Sequence, residues 1–234
     1  MGHKKLIRFA AIKHFLNVLE SPPDMKGKWK EFFKNNNPIS LELACGKGEY
    51  TVGLARLFPQ RNFIGVDIKG NRIYIGAKKC LDEGLANGAF LRTQIDTIIE
   101  YFAPGEVEEI WLTFPDPQLR KSKAKKRLTH PKFLRLYQQF LKPGASIHLK
   151  TDSPVLYHFT KMVIELFELI LVKDIDNVYA QAAIDEALKI QTHYEGLDIA
   201  QSNRVFYLQF KLPAIIPDKD SELKQRVFNE EQIS

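Results

Sequence analysis

Residues 39–48 read ISLELACGKG, and this stretch decides the fold. Its first five residues alternate apolar and polar side chains, as β-strands do, and Gly46 and Gly48 follow. Glycine permits positive φ and lets a ligand approach the backbone closely, so the pattern predicts a strand that ends in a tight turn. Residues 49–58 then carry apolar side chains at helical spacing, and Pro59 ends the helix.

The same strand–helix alternation continues along the chain. Six further strands are predicted after the first one, at residues 62–68, 89–93, 108–114, 145–150, 168–172 and 205–212. Helices are predicted between them at 71–86, 96–102, 131–141 and 153–167. Such alternation is typical of an α/β fold with a parallel sheet covered on both faces. The last two strands lack an obvious crossover helix, so we expect a hairpin. The prediction is a Rossmann-like, seven-stranded, mostly parallel sheet with one antiparallel strand.

The two ends of the chain differ from this middle part. Residues 1–38 are basic and irregular in pattern, and we interpret them as an N-terminal arm. Residues 213–234 are charged and weakly patterned, which favours a C-terminal tail. The expected organisation is therefore a single domain over residues 39–212 with an extension at each end.

Composition restricts the possible partners. The formal net charge of +6 favours anionic partners. Two cysteines do not make a disulfide framework, and six scattered histidines form no metal-ligand spacing, so we expect no metal. No apolar run approaches the roughly 20 residues of a membrane span, and no signal-type segment follows the basic N-terminus. We expect a cytoplasmic protein that does not bind membranes.

The glycine turn and the next strand predict a nucleoside site. Parallel sheets bind ligands at the carboxyl ends of their strands, where Glu42, Gly46 and Gly48 lie. Asp67 ends the second strand, and a carboxylate there can accept hydrogen bonds from ribose hydroxyls. A dinucleotide would need G-x-G-x-x-G spacing, which is absent, whereas S-adenosylmethionine has no phosphate and carries positive charge. The acids favour S-adenosylmethionine, although a glycine turn without any ligand is the alternative.

A rigid acidic turn follows the fourth strand. Residues 113–117 read TFPDP, and the two prolines stiffen the backbone around Asp116. An Asp-Pro turn is common in proteins, but its place directly after a buried-type strand favours a functional role. Six of the eight residues 120–127 are basic. Such a run is usually a solvated loop, yet beside Asp116 it could bind phosphates.

Two more polar clusters fall at strand ends. Asp152 follows the fifth strand, and residues 192–195, THYE, precede the last one. Asp152 alone could cap the helix that follows it, and Glu195 alone could be a surface acid. Three carboxylates at strand ends nevertheless predict one common rim.

In this ordered set of motifs the chain resembles the bacterial tRNA (guanine-N7)-methyltransferases, over about residues 39–211. The resemblance rests on E-L-x-C-G-x-G (42–48), F-P-D-P (114–117), the basic stretch to Arg127 with Leu128-Thr129, L-K-T-D (149–152) and T-x-Y-E (192–195). It implies the class I methyltransferase form of the predicted sheet, S-adenosylmethionine as cofactor and tRNA as partner. The implied target is guanine 46 of the variable loop.

The resemblance also implies residue roles. Glu42, Asp67, Gln94 and Asp116 would line the cofactor pocket, with Asp116 as the catalytic acid. The residues implied to contact the substrate are Arg120, Asp152, Thr192, His193, Tyr194 and Glu195.

The chain departs from the family pattern in three places. Ala44 replaces a common glycine, and Gln94 stands where the family usually has Asp, with Asp96 close by as another candidate for the adenine contact. The usual W-P-K after F-P-D-P reads QLR here, residues 118–120, so a tryptophan is lost while Arg120 keeps the positive charge.

Two other hypotheses remain open at this point: a non-catalytic RNA-binding protein on the same fold, and a nicotinamide-dependent oxidoreductase. The loop spacing argues against the oxidoreductase, and the set of acids argues against a protein without catalysis. The oligomeric state, monomer or homodimer, is not readable from the sequence.

Overall fold

The computed structural model describes residues 2–197 and 200–229. The strands are β1 Val18–Glu20, β2 Ile39–Leu43, β3 Asn62–Asp67, β4 Gly88–Arg92, β5 Val107–Thr113, β6 Leu141–Thr151, β7 Ile170–Ile175 and β8 Phe206–Lys211. The helices are α1 Gly2–Ala11, α2 Trp29–Phe33, α3 Glu49–Leu57, α4 Gly70–Asp82, α5 Pro131–Gln138, α6 Pro154–Leu166, α7 Glu186–Lys189 and α8 Asp220–Asn229. Short 3-10 helices cover Ile12–His14, Ile95–Glu100, Lys121–Lys126, Val178–Ala180 and Glu195–Leu197.

All eight strands form one sheet in the order β1-β4-β3-β2-β5-β6-β8-β7. The chain runs outward from β2 through β3 to β4, then returns to the other side of β2 with β5 and β6. The strand order therefore reverses between β2 and β5, and ligands of open α/β sheets bind at such a switch point. The carboxyl ends of β2, β3, β5 and β6 lie along the same edge, because these strands pair in parallel.

The predicted α/β sheet is confirmed, with one more strand than the seven expected. β8 pairs antiparallel with both β6 and β7, so it is the one strand that runs against the others. The additional strand is β1, which pairs in parallel with β4 at the far edge. With three residues, β1 is too short to show a period-two pattern, which explains why the sequence did not reveal it.

The first 38 residues, interpreted from the sequence as an irregular arm, contain regular elements in the structure. α1 packs against α4, and α2 places Trp29 in the main hydrophobic core with no exposed surface. The indole Nε1–H donates a hydrogen bond to the Tyr101 carbonyl at 2.8 Å, and the ring stacks on Phe102. The apolar residues that make these contacts are spread over short elements, so they produce no sustained periodicity.

The C-terminal segment also differs from a weakly patterned tail. Its residues 220–229 form α8, and the side chains of Leu223 and Val227 are buried in the main core. Arg135 of α5 binds the Asp220 carboxylate through two nitrogens, at 2.7 and 3.1 Å. A helix with only two buried apolar side chains gives a faint pattern, and the charged residues around them hide it.

Candidate active site

A cavity of about 500 Å³ lies at the switch point between β2 and β5. It brings together seven residues that the sequence predicts for the site: Glu42, Gly46, Asp67, Asp116, Asp152, Thr192 and Tyr194. Other lining residues include Ala44, Cys45, Glu49, Lys69, Arg72, Thr113, Phe114, Leu119 and Ala200. Four of the predicted residues, Gly48, Arg120, His193 and Glu195, line neither this cavity nor the neighbouring one described below.

Glu42 is held inside the protein by hydroxyl and amide donors. Its Oε2 accepts hydrogen bonds from the Thr51 N–H at 2.7 Å and the Thr51 hydroxyl at 2.5 Å, and its Oε1 accepts one from Thr113 at 2.7 Å. Burial raises the pKa of the Glu42 carboxyl to about 7, although these hydrogen bonds oppose the effect. Glu42 therefore joins β2 to α3 and β5 at the base of the cavity.

Asp67 shapes the glycine loop from the end of β3. One carboxylate oxygen accepts the Gly46 N–H at 2.9 Å, and the other accepts the Lys69 N–H at 2.8 Å. Both Ala44 and Gly46 have positive φ, at 58° and 55°. A left-handed backbone favours glycine, which is the physical reason that a glycine suits position 44 better than the alanine of this chain.

Gly48 packs closely against the ring of Phe90. A Cβ at this position would lie 2.4 Å from the Phe90 ring, and the φ of Gly48 is 70°. The tight contact lets the start of α3 sit close to β4. Gly48 lines neither cavity, so its cofactor contact stays a prediction, while the predicted turn geometry is confirmed.

A second cavity, of about 480 Å³, adjoins the first and shares Ala44 and Asp67 with it. Gln94 and Asp96 both line it, so the structure keeps both candidates for the adenine contact. The Asp96 carboxylate is paired with Lys132 of α5. Gln94 is exposed and precedes the 3-10 helix Ile95–Glu100.

The TFPDP turn holds Asp116 at the mouth of the first cavity. Phe114 and Gln118 have positive φ, at 46° and 47°, so the backbone is left-handed on both sides of the acid. Asp116 is exposed, and its Oδ1 accepts the Gln118 N–H at 3.0 Å. Non-glycine residues in this conformation cost free energy and often occur at functional sites.

The basic run beyond Asp116 forms the 3-10 helix Lys121–Lys126. Arg120 and the side chains of Lys123, Lys125 and Lys126 are exposed. Arg127, in contrast, is buried and faces the turn that carries Asp116. The run thus has an outer, solvated part and one inward-facing end.

Asp152 does not cap the helix that follows it. Ser153 caps α6 instead, because its hydroxyl accepts the Leu156 N–H at 3.3 Å. The Asp152 carboxylate lines the cavity, and its Oδ2 accepts the Ala200 N–H at 3.3 Å. The helix-cap alternative is therefore wrong.

Lys150 organises the segment that carries the THYE motif, and the sequence analysis did not single it out. It is fully buried in β6, and its ammonium donates hydrogen bonds to the Leu188 and Ile190 carbonyls, both at 2.9 Å. It also pairs with Glu195 at 3.1 Å, and Glu195 in turn bonds the Tyr179 hydroxyl. Burial lowers the pKa of Lys150, and the Glu195 carboxylate partly offsets this effect.

Within the THYE motif, Glu195 makes structural contacts, whereas Thr192 and Tyr194 line the cavity. The Thr192 hydroxyl accepts the Glu195 N–H at 3.1 Å, so the two ends of the motif are tied together. Tyr194 lies beside the glycine loop, since a Cβ on Gly46 would be 3.5 Å from its ring. The Arg72 guanidinium lies over the Tyr194 ring, 5.5 Å from the ring centre. His193 is exposed.

The described part of the chain contains neither a cluster of metal ligands nor a membrane-spanning helix. No group of three or more His, Cys, Asp or Glu side chains within residues 5–197 and 200–229 is arranged to hold a metal ion. None of the described helices combines the length and the apolar character that a membrane crossing requires.

Comparison with known proteins places these features in a family. The family described as "Putative methyltransferase" matches residues 36–208. The tRNA (guanine-N(7)-)-methyltransferase of Bacteroides thetaiotaomicron is 46% identical and covers 96% of this chain and 92% of its own length. That of Porphyromonas gingivalis is 49% identical, over 84% of this chain and 81% of its own.

Solved structures with the same fold are more distant in sequence. The 16S rRNA (adenine(1408)-N(1))-methyltransferase from Catenulisporales acidiphilia has a TM-score of 0.56 at 15% identity, over 79% of this chain and 92% of its own. A SAM dependent methyltransferase from Aquifex aeolicus has a TM-score of 0.53 at 14% identity, over 88% of this chain and 98% of its own. At this identity the likeness concerns the fold alone.

Proposed function

The chain belongs to the family of tRNA (guanine-N(7)-)-methyltransferases, and from this premise we propose that its switch-point cavity joins S-adenosylmethionine and one guanine of tRNA. The enzyme transfers a methyl group from S-adenosylmethionine to guanine N7 in tRNA. The finer proposal concerns the residues that do so and the target, guanine 46 of the variable loop. The observation that carries it is the meeting of Asp67, Asp116 and Asp152 at one cavity.

The chemistry of the lining fits S-adenosylmethionine. Five acids line the cavity against two basic residues, Lys69 and Arg72, and this excess of acids suits a cation better than a diphosphate. The acids are Glu42, Glu49, Asp67, Asp116 and Asp152. The oxygens of Asp67 already hold the glycine loop, and each can accept a further hydrogen bond from a ribose hydroxyl. The adjoining cavity with Gln94 and Asp96 has room for the adenine.

When bound, S-adenosylmethionine supplies an electrophilic methyl group, and the protein supplies alignment. Guanine N7 has a lone pair in the plane of the ring, so no residue needs to act as a strong base. Orientation of two reactants can lower a barrier by roughly 7–11 kcal/mol. We assign Asp116 to the guanine N1–H and N2–H groups, where its charge also favours the positive charge that develops on the purine.

Asp152 is the acid best placed to assist Asp116, since both line the cavity. Glu195 has a supporting role, because its carboxylate binds Lys150 and Tyr179. Arg120, Thr192, His193 and Tyr194 complete the proposed substrate side. The target base must leave the tertiary structure of the tRNA to reach this rim. We place the reaction in the cytoplasm, and the proposal holds for a monomer or a homodimer.

The test of this function is methyl transfer from labelled S-adenosylmethionine to an unmodified tRNA transcript, followed by nuclease digestion and identification of the nucleoside. We expect 7-methylguanosine at position 46. A matched transcript with adenosine at position 46 should accept no label. Label on another base, or equal label on both transcripts, would reject the proposed target.

Replacement of Asp116 tests the catalytic assignment. We expect Asp116→Ala to abolish transfer while the protein stays folded, because the side chain is exposed and makes its one described hydrogen bond within its own turn. Asp218→Ala is the matched control, since Asp218 is exposed and distant from both cavities. Near-normal turnover by folded Asp116→Ala protein would remove Asp116 from the mechanism.

A further inference from the structure

The last residue of the basic run differs from the rest. Lys123, Lys125 and Lys126 are exposed, whereas only 3% of the Arg127 surface is accessible. The positive charge of Arg127 lies over the ring of Phe159 in α6, with the guanidinium carbon 4.5 Å from the ring centre. An arginine in this position is not presented to the phosphates of an RNA backbone.

The guanidinium instead binds the turn that carries Asp116. Its Nε donates a hydrogen bond to the Pro117 carbonyl at 3.1 Å, and one terminal nitrogen donates to the Gln118 carbonyl at 3.2 Å. These carbonyls belong to the two residues directly after Asp116. Arg127 therefore holds the turn from the protein side, while the Asp116 carboxylate lies on the cavity side.

The turn needs an external support of this kind. Its backbone is left-handed at Phe114 and again at Gln118, a conformation that persists where surrounding contacts enforce it. The Gln118 N–H already bonds the Asp116 carboxylate, so movement of Gln118 would move the acid as well. Phe159 fixes the guanidinium from the other side and thereby links the turn to α6.

We propose that Arg127 is a positioning residue for methyl transfer, which fixes the Asp116 turn through the Pro117 and Gln118 carbonyls and binds no phosphate. The proposal rests on the proposed function. It requires arginine specifically, because the planar guanidinium presents forked donors to two carbonyls at once, whereas lysine has one ammonium at the end of a flexible chain. A phosphate contact, in contrast, would keep its electrostatic attraction with lysine, which binds phosphate as a point charge.

The substitution Arg127→Lys separates the two roles, since it keeps the charge and removes the fork. We expect kcat at saturating tRNA and S-adenosylmethionine to fall roughly tenfold to a hundredfold, the effect of misplacing a reacting group by about 1 Å. The KM for tRNA and the salt dependence of tRNA binding should stay as in the wild type. Arg56→Lys, at a surface ion pair with Glu83, is the matched control and should leave kcat unchanged.

Hydrogen exchange provides a readout that does not depend on the reaction. In the protein without ligands, a peptide covering residues 114–120 should take up deuterium faster in Arg127→Lys than in the wild type, because the Gln118 N–H is released more often. The peptides of β2 and β3 should exchange equally in both proteins. A variant in which all peptides exchange faster would indicate general destabilisation and would contradict a local clamp.

A second variant keeps the question decidable if Arg127→Lys does not fold. Phe159→Leu leaves the arginine in place and removes the ring beneath it, so we expect the same fall in kcat at unchanged tRNA binding, to a smaller extent. Wild-type kcat in Arg127→Lys, or a reduced salt dependence of tRNA binding, would overturn the proposal. If the wild-type protein failed to methylate guanine N7, the proposed function would fail, and hydrogen exchange would still decide whether Arg127 holds the turn.

Discussion

Burial raises the pKa of the Glu42 carboxyl to about 7, from 4.5, so the folded chain holds this proton more tightly than the unfolded chain. The stabilisation that results is present below pH 4.5 and is lost as the pH rises through 7. The loss is about 3 kcal/mol, since each tenfold change in proton affinity corresponds to about 1.4 kcal/mol.

We therefore expect Glu42→Gln, which imitates the protonated form, to keep its stability over this range. Urea unfolding of the ligand-free proteins between pH 5 and 8 measures the difference. Relative to the wild type, Glu42→Gln should gain about 3 kcal/mol in unfolding free energy as the pH increases. Parallel curves for the two proteins would show that Glu42 has an ordinary pKa in the fold.

Asp67 holds the glycine loop, and in the proposed function it also accepts hydrogen bonds from the cofactor ribose. We expect Asp67→Ala to weaken S-adenosylmethionine binding about tenfold or more, because a hydrogen bond to a charged acceptor contributes about 1.5–3 kcal/mol. Binding of tRNA should change less. Calorimetry measures both affinities, with Asp82→Ala on the surface of α4 as the control. An unchanged cofactor affinity would contradict the ribose contact.

The site residues differ in how far the sequence could reveal them. Glu42, Asp67, Asp116 and Asp152 follow from their positions at strand ends, because parallel strands bring their carboxyl ends to one edge. Lys150 was not recognised as a separate residue, since a lysine in a strand pattern reads as solvent-facing. Its partners, the Leu188 and Ile190 carbonyls, lie about 40 residues further along the chain. The burial of Glu195 in an ion pair with Lys150 could not be predicted either, because it depends on the fold around Lys150.

The basic 3-10 helix Lys121–Lys126 is the element on which phosphate binding can be tested. Replacing Lys123, Lys125 and Lys126 together by alanine should weaken tRNA binding. Each lost phosphate contact should also lower the slope of log affinity against log salt by ~0.7–0.9. Binding of free S-adenosylmethionine should change much less than tRNA binding, because the cofactor carries no phosphate and only Lys126 of the three lines the adjoining cavity.

A control with the same loss of charge makes this test specific. Lys26, Lys28 and Lys30 are exposed and line neither cavity, so their triple alanine variant should keep the wild-type slope. Filter retention of labelled tRNA at several salt concentrations gives the slopes. If the variant of the 3-10 helix and the wild type have superimposable slopes, the run is only a solvated loop.

Elements with a long, regular pattern were predictable, and short ones were not. The strand expected at residues 39–43 and the helix expected at 49–58 match β2 and α3 closely. β7 and β8 were expected as a hairpin pair, and they do pair antiparallel. The missed elements depend on contacts with distant parts of the chain, as α1 does on α4 and α8 on α6, rather than on their own periodicity. They are α1, β1, α2, α7 and α8.

The molecule as a whole depends on residues that precede the first predicted strand. Trp29 has no exposed surface and contacts the segment before β5 through Tyr101 and Phe102. We expect Trp29→Ala to lower the free energy of unfolding by about 3–5 kcal/mol, as for other large core residues. Leu16→Ala in the same segment is the control, since Leu16 is 89% exposed. Urea unfolding of both variants at the wild-type midpoint would contradict an integral role of this segment.

The position of β8 has a consequence for the synthesis of the chain on the ribosome. β8 is the last of the described strands along the chain, yet it lies between β6 and β7 in the sheet. Until it emerges, β6 has one unpaired edge, and β7 has no described neighbour in the sheet, although Ile170, Leu171 and Val172 are apolar. Unpaired apolar strands are prone to associate with other chains. Insertion of β8 is thus the step that pairs the free edge of β6 and joins β7 to the sheet. A nascent chain that stalls before Phe206 leaves that edge of β6 exposed to other chains.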